Sequence, residues 1–141
     1  MSDLITSRVT SRDWLGTCPQ NLIYAGTFPL RHAWGGFISE QYSCDLYQLE
    51  TRAGDNVQAV LSLLHIKHPV FGNYLATAPF ASYGGFAHST LPARDAILIE
   101  APNLLTSLHA EYVSVRFVDG DAIPPPGWIQ HPVYATYLVD L

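Results

Sequence analysis

Residues 58–88 read QAVLSLLHIKHPVFGNYLATAPFASYGGFAH, and this stretch decides the fold. On an extended chain Val57, Ala59, Leu61, Leu63 and His65 share one face, and Val60, Ser62, Leu64 and Ile66 share the other. Both faces are mostly apolar, so the strand belongs in the centre of a sheet with cover on each side. Lys67-His68-Pro69-Val70-Phe71-Gly72-Asn73 then supplies a proline-containing turn with a Gly-Asn exit, and Tyr74 to Phe80 reads as the next strand. The pair makes a hairpin or a close crossover. The stretch closes on Ser82-Tyr83-Gly84-Gly85-Phe86, where paired glycines permit backbone conformations or close approaches that a side chain would forbid.

Working outward, Cys44 to Thr51 alternates as a strand, and Ala53-Gly54-Asp55-Asn56 is a turn, so residues 44–66 are expected to form a hairpin. Upstream, Leu30, Ala33, Trp34, Phe37 and Ile38 recur at helical spacing, which predicts an amphipathic helix over 29–41 with Thr27 near its cap and Pro29 in its first turn. Gly35 and Gly36 weaken that helix by about 1 kcal/mol each and allow close packing. Residues 1–12 are polar and without periodicity, so a flexible start is expected, with a single ordered domain over 13–141. Downstream, Ile97, Ala101, Leu104, Leu105 and Leu108 trace one helical stripe that Pro102 interrupts, which predicts a kink or two consecutive short helices. Tyr112 to Val118 reads as a strand and 119–126, DGDAIPPP, as an exposed loop in which Asp119 and Asp121 form turns. The fold class is therefore α/β (α+β), a mixed, mainly antiparallel sheet flanked by helices. Tyr134 to Leu141 is again a strand pattern, and a chain that stops on a bare apolar strand leaves its edge uncovered. The expectation is that the chain is the first part of something longer.

Composition narrows the partners. Of 141 residues 48% are hydrophobic and 13% charged, against about 25% charged in ordinary soluble domains, so part of the surface is expected to face another protein surface. No apolar run approaches the ~20 residues of a spanning helix, and the N-terminus lacks the apolar centre of a signal peptide, which places the protein in the cytoplasm. A net charge of −5 with seven lysines and arginines argues against nucleic-acid binding by this segment. Cys18 and Cys44 are too few for a disulfide framework and read as reduced, buried thiols.

Together, Leu63 to Gly72 (LLHIKHPVFG), Ala78 to Gly85 (APFASYGG), Glu111 to Arg116 (EYVSVR), His131 to Tyr134 and Leu138 to Leu141 resemble the N-terminal part of FemAB-type aminoacyltransferases. The branch most resembled is associated with exopolysaccharide and exosortase systems. The resemblance runs from about Trp14 onward, and its most specific piece is Pro79-Phe80-x-x-Tyr83-Gly84-Gly85. It implies a GNAT-like fold and one of two such subdomains in tandem. It also implies transfer of an amino acid, from aminoacyl-tRNA in the best-known members, to an amine on a cell-envelope precursor. The partners implied are a second GNAT-like subdomain beyond Leu141, the precursor as acceptor, and a donor held by the missing half. A chain lacking that half is expected to be inactive alone.

The residues themselves offer few reactive constellations. A coenzyme A pyrophosphate needs a backbone-amide cradle at a helix start, written Gln/Arg-x-x-Gly-x-Gly/Ala, and no such sequence is present. No cofactor is therefore expected. His65 and His68 point to opposite faces of a strand and lack acidic or cysteine neighbours, so no metal is expected either. Tyr83 beside Gly84 and Gly85 is a candidate for stacking on or hydrogen bonding to substrate, or else a tyrosine anchoring the turn. Lys67 and His68, with His65, either line the mouth of a cleft or are solvated strand-end residues. Arg116 is either paired with Glu100 or Glu111 or exposed in a substrate groove. No general base emerges. The alternatives to the FemAB-like reading are a stand-alone GNAT N-acetyltransferase and a non-catalytic module forming a homodimer through its terminal strand.

Overall fold

The computed structural model of the chain describes residues 3–9, 22, 28–77, 79–81, 84–116 and 123–131. Six strands and three α-helices follow one another as β1 (Leu4–Val9), α1 (His32–Tyr42), β2 (Asp45–Ala53), β3 (Asn56–His68), β4 (Gly72–Ala76), β5 (Phe86–His88), α2 (Leu91–Glu100), α3 (Asn103–Leu108) and β6 (Tyr112–Ser114), with a 3-10 turn at Phe28–Leu30 before α1. The sheet order is β1-β2-β3-β4-β6, and β5 pairs with β3 as well. All pairings are antiparallel except β4 with β6, which is parallel.

β3 is the central strand, as its two apolar faces require. On one face Tyr47, Leu49, Leu61, Leu63, Leu75 and Phe86 pack under Ala93, Ile97, Leu98 and Ala101 of the α2 region. On the other, Leu22, Leu30, Val60 and Ala87 form one cluster and Ile38, Cys44 and Leu64 a second beneath α1. The β2–β3 hairpin turns at Gly54, whose φ of 57° suits glycine.

The second layer of helices forms as the sequence implies. Thr90 caps α2, its hydroxyl accepting from the Ala93 N–H at 3.3 Å. Around Pro102 the stripe divides into α2 and α3, the two-helix outcome, because proline cannot donate to the preceding turn. α1 begins at His32, three residues later than the 29–41 expectation, with Arg31 at its N-cap and no side-chain cap bond. Thr27 lies outside the described residues.

Three expectations need correction. The start of the chain is not loose throughout: β1 pairs with β2 along its whole length, Thr6 and Thr51 hydroxyls meet at 2.7 Å, and the Arg8 guanidinium lies 4.3 Å from the Tyr47 ring centre. Its apolar residues Leu4, Ile5 and Val9 do not alternate with the polar ones, and as an edge strand it leaves Leu4 and Ile5 exposed, so hydrophobic periodicity carried no signal. The strand expected over 74–80 spans Gly72–Ala76, and β5 was not foreseen. Of the strand expected over 112–118, Tyr112–Ser114 forms and 115–116 do not, while 117 and 118 lie outside the described residues. The strand expected over 134–141 lies outside the described residues.

Gly35 and Gly36 play different parts. A Cβ at Gly35 would sit 2.8 Å from a methyl of Leu46 on β2, whereas one at Gly36 meets open space. Gly36→Ala should therefore raise stability by about 0.5–1 kcal/mol through helix propensity, while Gly35→Ala should gain less or lose stability as Leu46 is displaced. Urea unfolding of the two variants checks the difference.

Candidate functional site

The most irregular feature of the sheet is an interruption beside β3. Leu64 pairs with Ala76 of β4, and Leu61 pairs with Phe86 of β5, on the edge of β3 that faces away from β2. Two residues of β3, Ser62 and Leu63, are thus opposed by nine, 77–85. The excursion is closed by Gly84 and Gly85, at φ 114° and 78°, conformations that glycine alone adopts readily. The Gly85 carbonyl accepts from the Ser62 N–H at 2.7 Å, and the Gly84 N–H donates to the Arg116 carbonyl at 3.2 Å. Thr77, fully buried, donates its N–H to the Ser114 carbonyl at 3.0 Å, and its hydroxyl accepts from the Arg116 N–H at 2.8 Å. The Arg116 guanidinium reaches the Ala81 carbonyl at 3.4 Å. Gly84, Gly85 and Arg116 are therefore brought together beside the interruption, just past the last paired residues of β4 and β6. Tyr83 lies outside the described residues.

On the α1 side of the sheet, buried polar side chains lead across to this opening. Glu50, Gln48 and Ser62 are all buried, Gln48 and Ser62 are direct cross-strand partners, and the Glu50 carboxylate accepts from the Arg52 Nε–H. Burying such groups on an otherwise apolar face is costly unless they are hydrogen-bonded. Neither their type nor their spacing marked them out, because the same alternation serves any half-buried strand.

Lys67 and His68 lie elsewhere. They stand five and six residues beyond Ser62 on β3, about 17–20 Å away at roughly 3.3 Å per residue, and with Gly72, Asn73 and Glu111 they line an open depression of about 500 Å³ at the β3–β4 turn. The residues expected to act together thus divide into two groups. His65 is not at the mouth of this depression: it is 2% exposed and lies behind it, its Nε2 2.6 Å from the Asn73 Oδ1. Asn73 and Glu111 were missed because parallel pairing of Tyr74 with Tyr112 is what places them together. Among the described residues no three His, Cys, Asp or Glu side chains gather as a metal site. No described helix is long and apolar enough to cross a membrane. Cys44 is a free, buried thiol whose pKa is pushed up, chiefly by burial and then by Asp45.

No protein-family model matches the chain, and neither does any curated protein. Among solved structures, a GNAT family acetyltransferase from Staphylococcus aureus subsp. aureus USA300_TCH1516 is similar, with a TM-score of 0.53 and 9% identity over 99% of this chain and 100% of that one. The chain has a GNAT-like fold, in the mixed α/β class with a mainly antiparallel sheet that the sequence implied.

That fold raises the question of acetyl-CoA, and the residues at the start of α2 do not fit its pyrophosphate. Between β5 and α2 stand Ser89 and Thr90 with no glycine-rich turn. Ser89 gives its N–H to the Gln58 carbonyl at 2.8 Å and its hydroxyl to Gln58 Oε1 at 2.5 Å. Thr90 takes the Ala93 N–H on its side chain and the Arg94 N–H, at 3.0 Å, on its carbonyl. Pro92 has no N–H to give. Three of the amides at this helix start, those of Ser89, Ala93 and Arg94, are thus already bonded within the chain, and Pro92 offers none.

Two measurements probe the site. Gly84→Ala places a Cβ on a backbone at φ 114° and should cost about 1–3 kcal/mol in chemical unfolding. Tyr112, stacked on Tyr74 with ring centres 5.0 Å apart, has its phenol pKa raised by burial first, then by Tyr74 and Glu111. In an ultraviolet pH titration, Tyr112→Phe should remove a component ionising above the ordinary value of about 10.

Proposed function

We propose that this chain is the acceptor-shaping, N-terminal GNAT-like subdomain of a FemAB-like acyl- or aminoacyltransferase acting on a cell-wall or exopolysaccharide precursor, and that it is inactive alone. The observation that carries the reading is the α2 start, where the Ser89, Ala93 and Arg94 amides are bonded internally and no glycine-rich turn precedes the helix, in a GNAT-like fold. Transfer of an acyl group to an amine needs an acceptor held still and a donor carbonyl brought to it. In this reading the interruption between β4 and β5 beside β3, with Gly84, Gly85, Arg116 and Tyr83, the residue before Gly84 in sequence, receives the acceptor. The donor, aminoacyl-tRNA in the type members, is left to a second GNAT-like subdomain, so this segment needs no nucleic-acid surface of its own. Its net charge of −5 suits that division of labour.

A second reading, a stand-alone N-acetyltransferase, is favoured by the near end-to-end match with the staphylococcal structure. Calorimetric titration with acetyl-CoA separates the two. The expected result is no saturable heat, and saturable binding would establish the second reading in place of the first. Amide NMR with a soluble muropeptide carrying a free amine should in addition shift Ser62, Gly84 and Gly85. A spectrum unchanged at those three amides removes the acceptor assignment.

A further inference from the structure

We infer that the depression at the β3–β4 turn is a binding site for a small zwitterion of the α-amino acid class, with Lys67 taking the carboxylate and Glu111 the ammonium. This does not rest on the acyl-transfer reading, since the depression lies far along β3 from the strand interruption. Opposite charges line one hollow of about 500 Å³, within the size range of small-molecule sites. No ion pair joins Lys67 to Glu111 or to any other carboxylate among the described residues, and the one hydrogen bond given for the Glu111 carboxylate is from a backbone N–H, so neither charge is neutralised by a partner of opposite sign.

The Glu111 carboxylate is held in place. Its Oε1 accepts from the Asn73 N–H at 3.3 Å, and the Glu111 N–H donates to the Asn73 carbonyl at 2.7 Å. It lies directly over Gly72, where a Cβ would come within 3.3 Å of one carboxylate oxygen and 3.4 Å of the other, on a backbone at φ +90°. Glycine at 72 thus keeps the floor clear. His68 is oriented too: its Nδ1 accepts from the Val70 and Phe71 N–H groups at 3.1 and 3.2 Å, so its Nε2 carries the hydrogen and remains a donor.

The floor behind is stiff. Asn73 Nδ2 donates to the His109 carbonyl at 2.7 Å, which turns its Oδ1 toward the buried Nε2–H of His65. The His65 Nδ1 is left without a hydrogen-bond partner among the described residues. A buried imidazole with an unmet acceptor is an expense in a sheet core, and what it secures is the orientation of the Asn73 side chain beneath the hollow.

Titration of the full chain with L-alanine, alaninamide and N-acetyl-alanine, followed by amide NMR, tests the assignment. L-Alanine should shift the Gly72, Asn73 and Glu111 amides saturably, with an affinity of millimolar order, because solvent-exposed ion pairs are individually weak. The two singly charged compounds should bind about fivefold more weakly, and Glu111→Gln and Lys67→Gln should each lose about the same factor for L-alanine. Glu111→Gln retains an oxygen to accept the Asn73 N–H, so its fold is kept. No saturation by about 50 mM, or an equal response to all three compounds, overturns the site. Because these amides are remote from Gly84 and Gly85, a failure here leaves the acceptor assignment standing, and the converse holds.

Discussion

The constraint on which the rest of the structure depends is that β3 must satisfy hydrogen bonds on both edges and bury side chains on both faces. β2 covers one edge from Asn56 to His65, but the other edge is shared by β4 and β5. Nine residues of sequence stand between those two segments opposite Ser62 and Leu63, and where they return to β3 the Gly85 carbonyl accepts from the Ser62 N–H while Gly84 and Gly85 adopt backbone conformations that other residues rarely take. The Gly84 N–H then bonds the Arg116 carbonyl, which sets Arg116 beside that return.

A helix N-terminus with free backbone amides is where a nucleotide phosphate is commonly held. Here the same neighbourhood is spent on internal bonds through Ser89 and Thr90, so the architecture persists while the local chemistry differs. Fold and function separate at this point, and a fold-level likeness at 9% identity carries the first alone. What remains chemically distinctive is spread over two places: the polar row of Glu50, Gln48 and Ser62 running to the opening, and the charged hollow at the far end of the same strand.

Much of this was legible in the residues. The doubly apolar run around Leu61 and Leu63 announces a central strand, Gly54 a hairpin turn, Pro102 a break between helices, and Gly84-Gly85 an unusual backbone, and all four stand in the structure. Illegible were the features set by non-local pairing. Three residues, Phe86 to His88, are too short to declare a strand until β3 offers them an edge. β4 ends at Ala76, where its pairing with β3 stops at Leu64, a limit set by the partner strand and not by the residues of 74–80 themselves. Glu111 gains its place over Gly72 through the parallel register of Tyr74 with Tyr112, a relation between segments nearly forty residues apart that no local pattern records.

The edge strand β1 has a kinetic meaning. Val9 meets Gln48 and Leu4 meets Ala53, so its ladder spans separations of 39 to 49 residues, whereas β2 and β3 close around a two-residue turn. Loop-closure entropy makes the near pairing the early one and the distant pairing the late one. The molecule therefore assembles from its middle outward, and β1 is among the last elements to find its place.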